Sequence, residues 1–306
     1  MIEITASHDY ERLDLFLVEC LEISRTRAQK YIKDKDIQAE DKLKLKSSMP
    51  VHEGQKFFIE IPQSLNLQRL QGDRNVNFEV VYKDEYLFVI NKPPRLVVHP
   101  APGNWHGTLV NGLVYRYPEL RLINNFMRPG IVQRLDSVTS GLMTVARTQK
   151  MYEVMQKMFA ERKVSKKYLA IVHGCPKKHE GILSGPLDRD PDNFMRMVVI
   201  EGGKPSLTGY KVLWSKNDYS LVMCELFTGR MHQIRAHMSA LGCPLVGDTM
   251  YGAERFGDVF DGRVYLHSWQ LGFDHPATGE AMTFRQTIPE DFREAIRNIQ
   301  RYNQHK

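Results

Sequence analysis

The sequence predicts an α+β protein in two parts, a small N-terminal module and a larger strand-rich domain. Three observations carry that prediction. The chain has 306 residues, more than one common domain at roughly 100–200 residues each. Short β-rich runs bounded by turn residues recur from Phe78 to Phe227. Apolar residues at helical spacing are confined to a few scattered segments.

In the first part, Leu13, Phe16, Leu17, Cys20 and Leu21 repeat at helical spacing and predict a short amphipathic helix. Ser24 suits the N-cap of a second helix, Arg25 to Lys33. That helix carries Arg25, Arg27, Lys30 and Lys33, and offers Ala28, Tyr31 and Ile32 to a core. The run from Val51 ends in a strand that Pro62 stops, and polar residues 63–75 predict a linker.

The second part opens on FEVVYKDEYLFVINKP, two short strands around a Lys83-Asp84-Glu85 turn. Pro93, Pro94, Pro100 and Pro102 then predict a stiff, ordered loop running on to Gly107-Thr-Leu-Val-Asn111. After the Arg128-Pro129-Gly130 turn, IVQRLDSVTSGLMTVAR has β-rich ends and a polar middle. Met151, Val154, Met155, Met158 and Phe159 form a helical stripe. A strand from Lys167 to His173 ends at Gly174, and others are predicted at 196–200, 207–214 and 219–227. A helix from Gln233 to Leu241 is ended by Gly242, and Pro289 opens a closing helix.

Composition narrows the class. Hydrophobic residues at 42% and charged residues at 25% argue against wholesale disorder. No window approaches 18 apolar residues, so no membrane span is expected. The start MIEITASHDYERLD has no basic segment followed by an apolar core, and a cytoplasmic location is expected. Cys20, Cys175, Cys224 and Cys243 form no CxxC pair, which argues against a zinc site or disulfide framework. Residues 1–62 hold 10 basic and 12 acidic side chains, the remainder 32 and 24. The basic excess of the larger part favours a polyanionic partner.

Four stretches can carry chemistry. In Arg134-Leu-Asp136-Ser-Val-Thr139-Ser140-Gly141, Thr139, Ser140 and nearby N–H groups could hold the Asp136 carboxylate. Taken alone, an Asp making a turn is the commoner case. In TGRMHQIRAH, Arg235 lies inside the predicted helix between Ile234 and Ala236. Its permanent charge and rigid fork suit a buried carboxylate, although most arginines are exposed. His232 and His237 sit five apart, which does not suit a metal pair. Arg162, Lys163, Lys166 and Lys167 surround the start of a strand bearing Tyr168, a pattern suited to phosphates and base stacking as well as to a solvated turn. The proline-rich loop after Asn91-Lys92 is the fourth.

Together these stretches resemble the RluA-type pseudouridine synthases, in their RluC/RluD-like branch. INKPPRLVVHPAPGN resembles the family's first block, RPGIVQRLDSVTSGLMTVART its catalytic block, KKYLAIVHG its tyrosine block and TGRMHQIRAHMSALGCPLVGDTMYG its arginine block. HSWQLGFDHPATGE resembles its closing strands. Four blocks in family order make the resemblance specific. It implies a catalytic domain over 76–306, a mixed, mostly antiparallel β-sheet with flanking helices. Residues 12–62 resemble the small α-L RNA-binding module, with SRTRAQKYIK as its RNA-contacting helix. Two departures stand out: Asp34 to Asp41 replace that module's Gly-rich turn, and Gln133 stands where many relatives carry a titrating His.

The resemblance implies conversion of uridine in RNA to pseudouridine, with no cofactor and no metal. Asp136 is then the catalytic carboxylate, acting on C1′, on the base ring or on a sugar proton, each of which needs the ionised form. Burial disfavours that form, so Arg235 is implied as its cationic partner. Tyr168 would stack on the target base and assist the final proton removal. Arg134 would fill the gap left by the extruded uridine. Thr139 and Ile234 would support the site, and Arg25, Arg27, Lys30, Lys166 and Lys167 would contact RNA. Large-subunit rRNA is the first expected partner and tRNA the alternative. A noncatalytic RNA-binding protein on the same scaffold is the rival reading, and a monomer is assumed.

Overall fold

The computed structural model describes residues 2–21, 25–33, 37–40, 44–59, 70–101, 104–124, 128–253 and 263–301, the side chains of Ile2 and Arg27 excepted. Ser24, Pro62, Pro102, most of the 63–75 segment, and Asp34 to Asp36 with Asp41 lie outside the described residues. The chain divides into two compact units, Met1–Gln71 and Gly72–Lys306.

The first unit holds β1 (Ile2–Thr5), α1 (Leu13–Leu21), α2 (Arg25–Lys33), β2 (Ile37–Ala39) and β3 (Lys56–Ile59). Its antiparallel sheet has the order β1-β3-β2. Pairing of β1 with β3 brings residues before position 12 into this unit, which the helical and strand signals downstream did not reveal. Leu13, Phe16 and Leu17 of α1 meet a core that includes Phe57 and Ile59. Asp14 is buried on the same helix. Arg12 holds it with two bonds of 2.9 Å, and Arg25 and Gln29 of α2 add bonds of 3.0 and 2.8 Å. The Arg12 bonds outweigh burial and hold this carboxyl well below the usual range.

The second unit is built on a nine-stranded sheet. Its strands are β4 (Glu79–Lys83), β5 (Leu87–Lys92), β6 (Ser140–Ala146), β7 (Ser165–His173), β8 (Glu180–Leu183), β11 (Thr208–Lys216), β12 (Tyr219–Leu226), β13 (Leu266–Asp274) and β14 (Ala281–Arg285). The order is β4-β5-β6-β13-β7-β12-β11-β8, with β14 on β13. Only β6 and β13 run parallel among these pairs. β9 (Leu187–Arg189) and β10 (Met197–Val199) form a separate hairpin. The helices are α3 (Leu109–Arg116), α4 (Gln149–Ala160), α5 (Gln233–Ala240) and α6 (Glu290–Arg301). This is the mixed, mostly antiparallel α+β architecture that the sequence led one to expect.

The centre of the sheet positions the site. Every residue of β6 is buried. Gly141 has φ +113, and a Cβ there would lie 2.3 Å from the Ser268 carbonyl oxygen, so only glycine lets β6 and β13 approach. Beneath the sheet, Leu169 and Ile171 of β7 pack with Phe292, Ala295 and Ile299 of α6. One helix escaped the sequence reading: α3 occupies part of the segment expected to be loop. Thr108 and Asn111 form a reciprocal cap at its start. Gly112 reads as a breaker, yet it is required because a Cβ would sit 2.7 Å from Val76. Among the described residues, no helix is long and apolar enough to cross a membrane.

Candidate active site

Asp136 lies four residues before β6, where buried Leu135 anchors the loop. The Thr139 N–H donates to the Asp136 main-chain carbonyl at 3.0 Å and closes a turn. Thr139 therefore shapes the loop and gives no described bond to the carboxylate. Ser140 is also otherwise engaged: its Oγ accepts from Arg263 at 2.8 Å. Lys92, at the end of β5, is fully buried and donates to the carbonyls of Pro93, Leu96 and Ser137 at 2.8, 2.9 and 3.1 Å. Burial pulls its pKa down to about 7, against the nearby Asp136 charge. Three acceptors call for all three N–H groups of the ammonium. Lys92 thereby ties the proline-rich loop to the residue after Asp136.

The cation predicted for Asp136 is present, with a different division of its bonds. Arg235 projects from α5 with its side chain 5% exposed, and its Nη1 lies 3.2 Å from Asp136 Oδ2. Its fork goes to Asp248 instead, Nε at 2.7 Å and Nη2 at 2.8 Å. Burial opposes the Arg235 charge, but the Asp248 bonds and the charges of Asp248 and Asp136 outweigh it and raise the pKa. Asp248 is 1% exposed, whereas the Asp136 side chain keeps 21% of its surface open. The Asp136 carboxylate is therefore not sealed from water, as a dry pocket would require. It edges a small cavity of about 60 Å³ walled by Arg134, Leu135, Thr139, Tyr168 and Ile234.

A second group faces Asp136. His232 caps α5 in the left-handed region, φ +52, and puts Nε2 3.8 Å from Asp136 Oδ2. Non-glycine residues seldom adopt that conformation, and it recurs at functional sites. The Tyr251 hydroxyl accepts from Met197 N–H at 2.8 Å and lies 3.1 Å from His232 Nδ1. Its own proton is then free for Nδ1, which leaves hydrogen on Nε2, toward Asp136. Burial lowers the His232 pKa against the pull of Asp136, so the ring is neutral at physiological pH.

Tyr168 is buried in β7 between Cys224 of β12 and Ser268 of β13. Burial pushes its hydroxyl up to about 12, with Ser268 acting in the opposite sense, so it stays protonated near neutrality. The alternation of β7 puts Lys166 on the face of Tyr168 and Lys167 on the other. Lys167 lines neither cavity beside the site. Arg134 is exposed at the rim, and Ile234 is buried in the wall. In the first unit, Arg25 is engaged by Asp14, Lys30 is exposed, and the Arg27 side chain lies outside the described residues. No group of three or more potential metal-ligating side chains occurs among the described residues.

A carboxylate held by a buried guanidinium, in a cavity that a neutral tyrosine also lines, suits general acid–base or nucleophilic work on a planar base and its sugar. Residues 86–240 match the family model described as RNA pseudouridylate synthase. The chain is 39% identical to the uncharacterized RNA pseudouridine synthase YlyB of Bacillus subtilis (strain 168), over 98% of both chains. It is 36% identical to the ribosomal large subunit pseudouridine synthase D of Nitrosomonas europaea, over 94% of this chain and 85% of that one. The solved human RNA pseudouridylate synthase domain containing 1 superimposes with a TM-score of 0.56 at 26% identity, covering 74% of this chain and 95% of the other. The fold and these matches define an RNA-modifying isomerase. The chain belongs to the RluA-type family of RNA pseudouridine synthases. Its reaction is the isomerisation of uridine in RNA.

Proposed function

We propose that this enzyme modifies specific uridines of large-subunit ribosomal RNA, with Asp136 as the carboxylate that acts on the target nucleotide. Relatives named ribosomal large subunit pseudouridine synthase D, 36–38% identical over at least nine-tenths of this chain, support the RNA class. Such a substrate implies a cytoplasmic enzyme. The observation that carries the catalytic assignment is the Arg235 contact to a partly exposed Asp136.

In the reaction the N1–C1′ bond breaks, the uracil turns, and C5 bonds to C1′. The C5 proton leaves and N1 gains one, so atoms balance without any redox step. Asp136, ionised beside Arg235, acts on the sugar or base as N1 departs. Arg235 needs no reorganisation because Asp248 already fixes its plane. Tyr168 supplies the face on which the base turns and helps to move the C5 proton. Ile234 closes the wall, and Arg134 enters the stack in place of the extruded uridine. In the N-terminal module, residues 12–62, Arg27 and Lys30 contact RNA, while Arg25 mainly orders the helix pair through Asp14.

Carbodiimide mapping of pseudouridine in total RNA, from cells with and without the gene, tests this reading. A signal lost from large-subunit rRNA and restored by the wild type but not by Asp136→Asn is expected. Loss confined to tRNA would move the substrate to that class, and an unchanged map would reject the assignment.

A further inference from the structure

A second cavity adjoins the one that Asp136 edges. Its volume is about 460 Å³, against about 60 Å³. Arg134, Tyr168, Leu226 and Arg230 line both, so the two share a wall. Neither Asp136 nor Arg235 reaches the larger one. Bond exchange at C1′ keeps the reacting nucleotide beside Asp136, on the near side of that wall. The far side, formed by Phe159, Arg162, Lys166 and Phe227, has no part in the chemistry described so far.

Its lining has a definite character. It contains Arg134, Arg162, Lys166 and Arg230 and no acidic residue. Among the described residues, none of these four pairs with a carboxylate, and Arg230 Nε donates only to the Pro205 carbonyl at 3.3 Å. The Lys166 ammonium lies 5.6 Å over the Phe159 ring. It also hangs over Gly229, where an added Cβ would be 3.8 Å from Nζ. Burial lowers its pKa, a strain that an anion would relieve. Phe227 is 36% exposed, with one ring edge seated 3.2 Å from the position a Cβ would take at Gly209. The buried Nε2 of Gln133 also has no partner among the described residues. Unpaired cations call for phosphate, and an exposed aromatic ring calls for a base.

We propose that this cavity is a second nucleotide subsite, which takes the phosphate and unstacked base of a residue adjoining the target uridine. The inference rests on the reading that Asp136 acts on an RNA uridine, and it adds how the enzyme selects that uridine by its neighbour. Phe227 stacks the base, and Arg162 with Lys166 holds the phosphate.

The test uses the full-length enzyme and synthetic RNAs carrying the segment identified by mapping, intact or abasic at the residue before or after the uridine. Phe227→Ala is expected to lower kcat/KM on the intact RNA by roughly five- to a hundredfold, the worth of one stacked base. One of the two abasic RNAs should show a similar loss with the wild type, and Phe227→Ala should add nothing further on that RNA. Losses that multiply on both abasic RNAs, or no loss with either, overturn the subsite. Arg162→Asn, which keeps a residue tolerant of the φ +62 found there, checks the phosphate contact independently of Phe227. Its log–log salt dependence of binding should flatten by about one ion, and an unchanged slope counts against the phosphate contact. Absence of pseudouridine from the intact RNA with wild-type enzyme would strike the underlying reading instead.

Discussion

Arg235 gives its planar fork to Asp248 and a single N–H to Asp136. The catalytic candidate is thus the less tightly held of two carboxylates on one guanidinium. Asp248 is a structural ligand that fixes the cation, and Asp136 uses what remains of it. This division lets Asp136 keep 21% of its side-chain surface open while its counter-charge stays buried.

Asp136→Asn should fold, bind RNA and form no pseudouridine. Tritium release from [5-³H]uridine-labelled RNA measures this directly. Turnover within tenfold of wild type would remove Asp136 from the reaction.

Asp248→Asn should destabilise the protein far more than Asp136→Asn. Breaking a buried pair from one side costs about 3–5 kcal/mol, whereas a partly exposed single contact is worth about 1 kcal/mol or less. Urea unfolding of the two variants gives the comparison, and equal losses would mean that the fork is not shared as described.

Arg235→Lys should lose both stability and activity, because one ammonium cannot serve two oxygens of Asp248 and reach Asp136 as well. A lysine variant with wild-type turnover would show that only charge matters there.

Tyr251→Phe removes the hydroxyl proton that selects the His232 tautomer while leaving the ring under the Arg235 guanidinium, 4.9 Å away. A fall in kcat with KM little changed is expected, and His232→Gln, whose amide can present an N–H toward Asp136, should retain more activity than His232→Ala. Equal activity of the Gln and Ala variants would exclude an oriented donor.

The histidines also set an acid limit on stability. Burial, with Arg128 and Arg134 nearby, lowers His99 to about 3, and burial with Arg263 lowers His267 to about 4. Both are neutral in the folded protein at pH values where the unfolded chain, near 6.5, takes up protons. Their contribution is therefore intact above pH 6.5 and is lost as pH falls toward 4 and then 3. Each group should steepen the decline by about 1.4 kcal/mol per pH unit in that window. The slope of unfolding free energy against pH should lessen in His99→Gln; an unchanged slope would mean that His99 titrates normally.

Much of the site was legible because Asp136, Tyr168 and Arg235 each lie in a recognisable block. What the sequence could not show is how Arg235 divides its bonds, since Asp248 earns its place only through the turn that returns the chain to α5. His232 escaped for a backbone reason: a left-handed φ leaves no mark on residue type. Lys92 stood in plain view beside two prolines, but its three carbonyl acceptors depend on loops far apart in sequence. In the fold, α3 was missed because the proline-rich loop was carried on through Gly107 to Asn111, and β1 because its partner strand lies far along the chain. Strong local periodicity, by contrast, placed α4 and α6 well.

The close approach at Gly141 has a consequence for how robust the catalytic loop is. No side chain intervenes between that residue and Ser268, so the joint is main chain against main chain. The strand that follows the Asp136 loop is therefore vulnerable at this one position, where even a methyl group would force it away from its parallel neighbour.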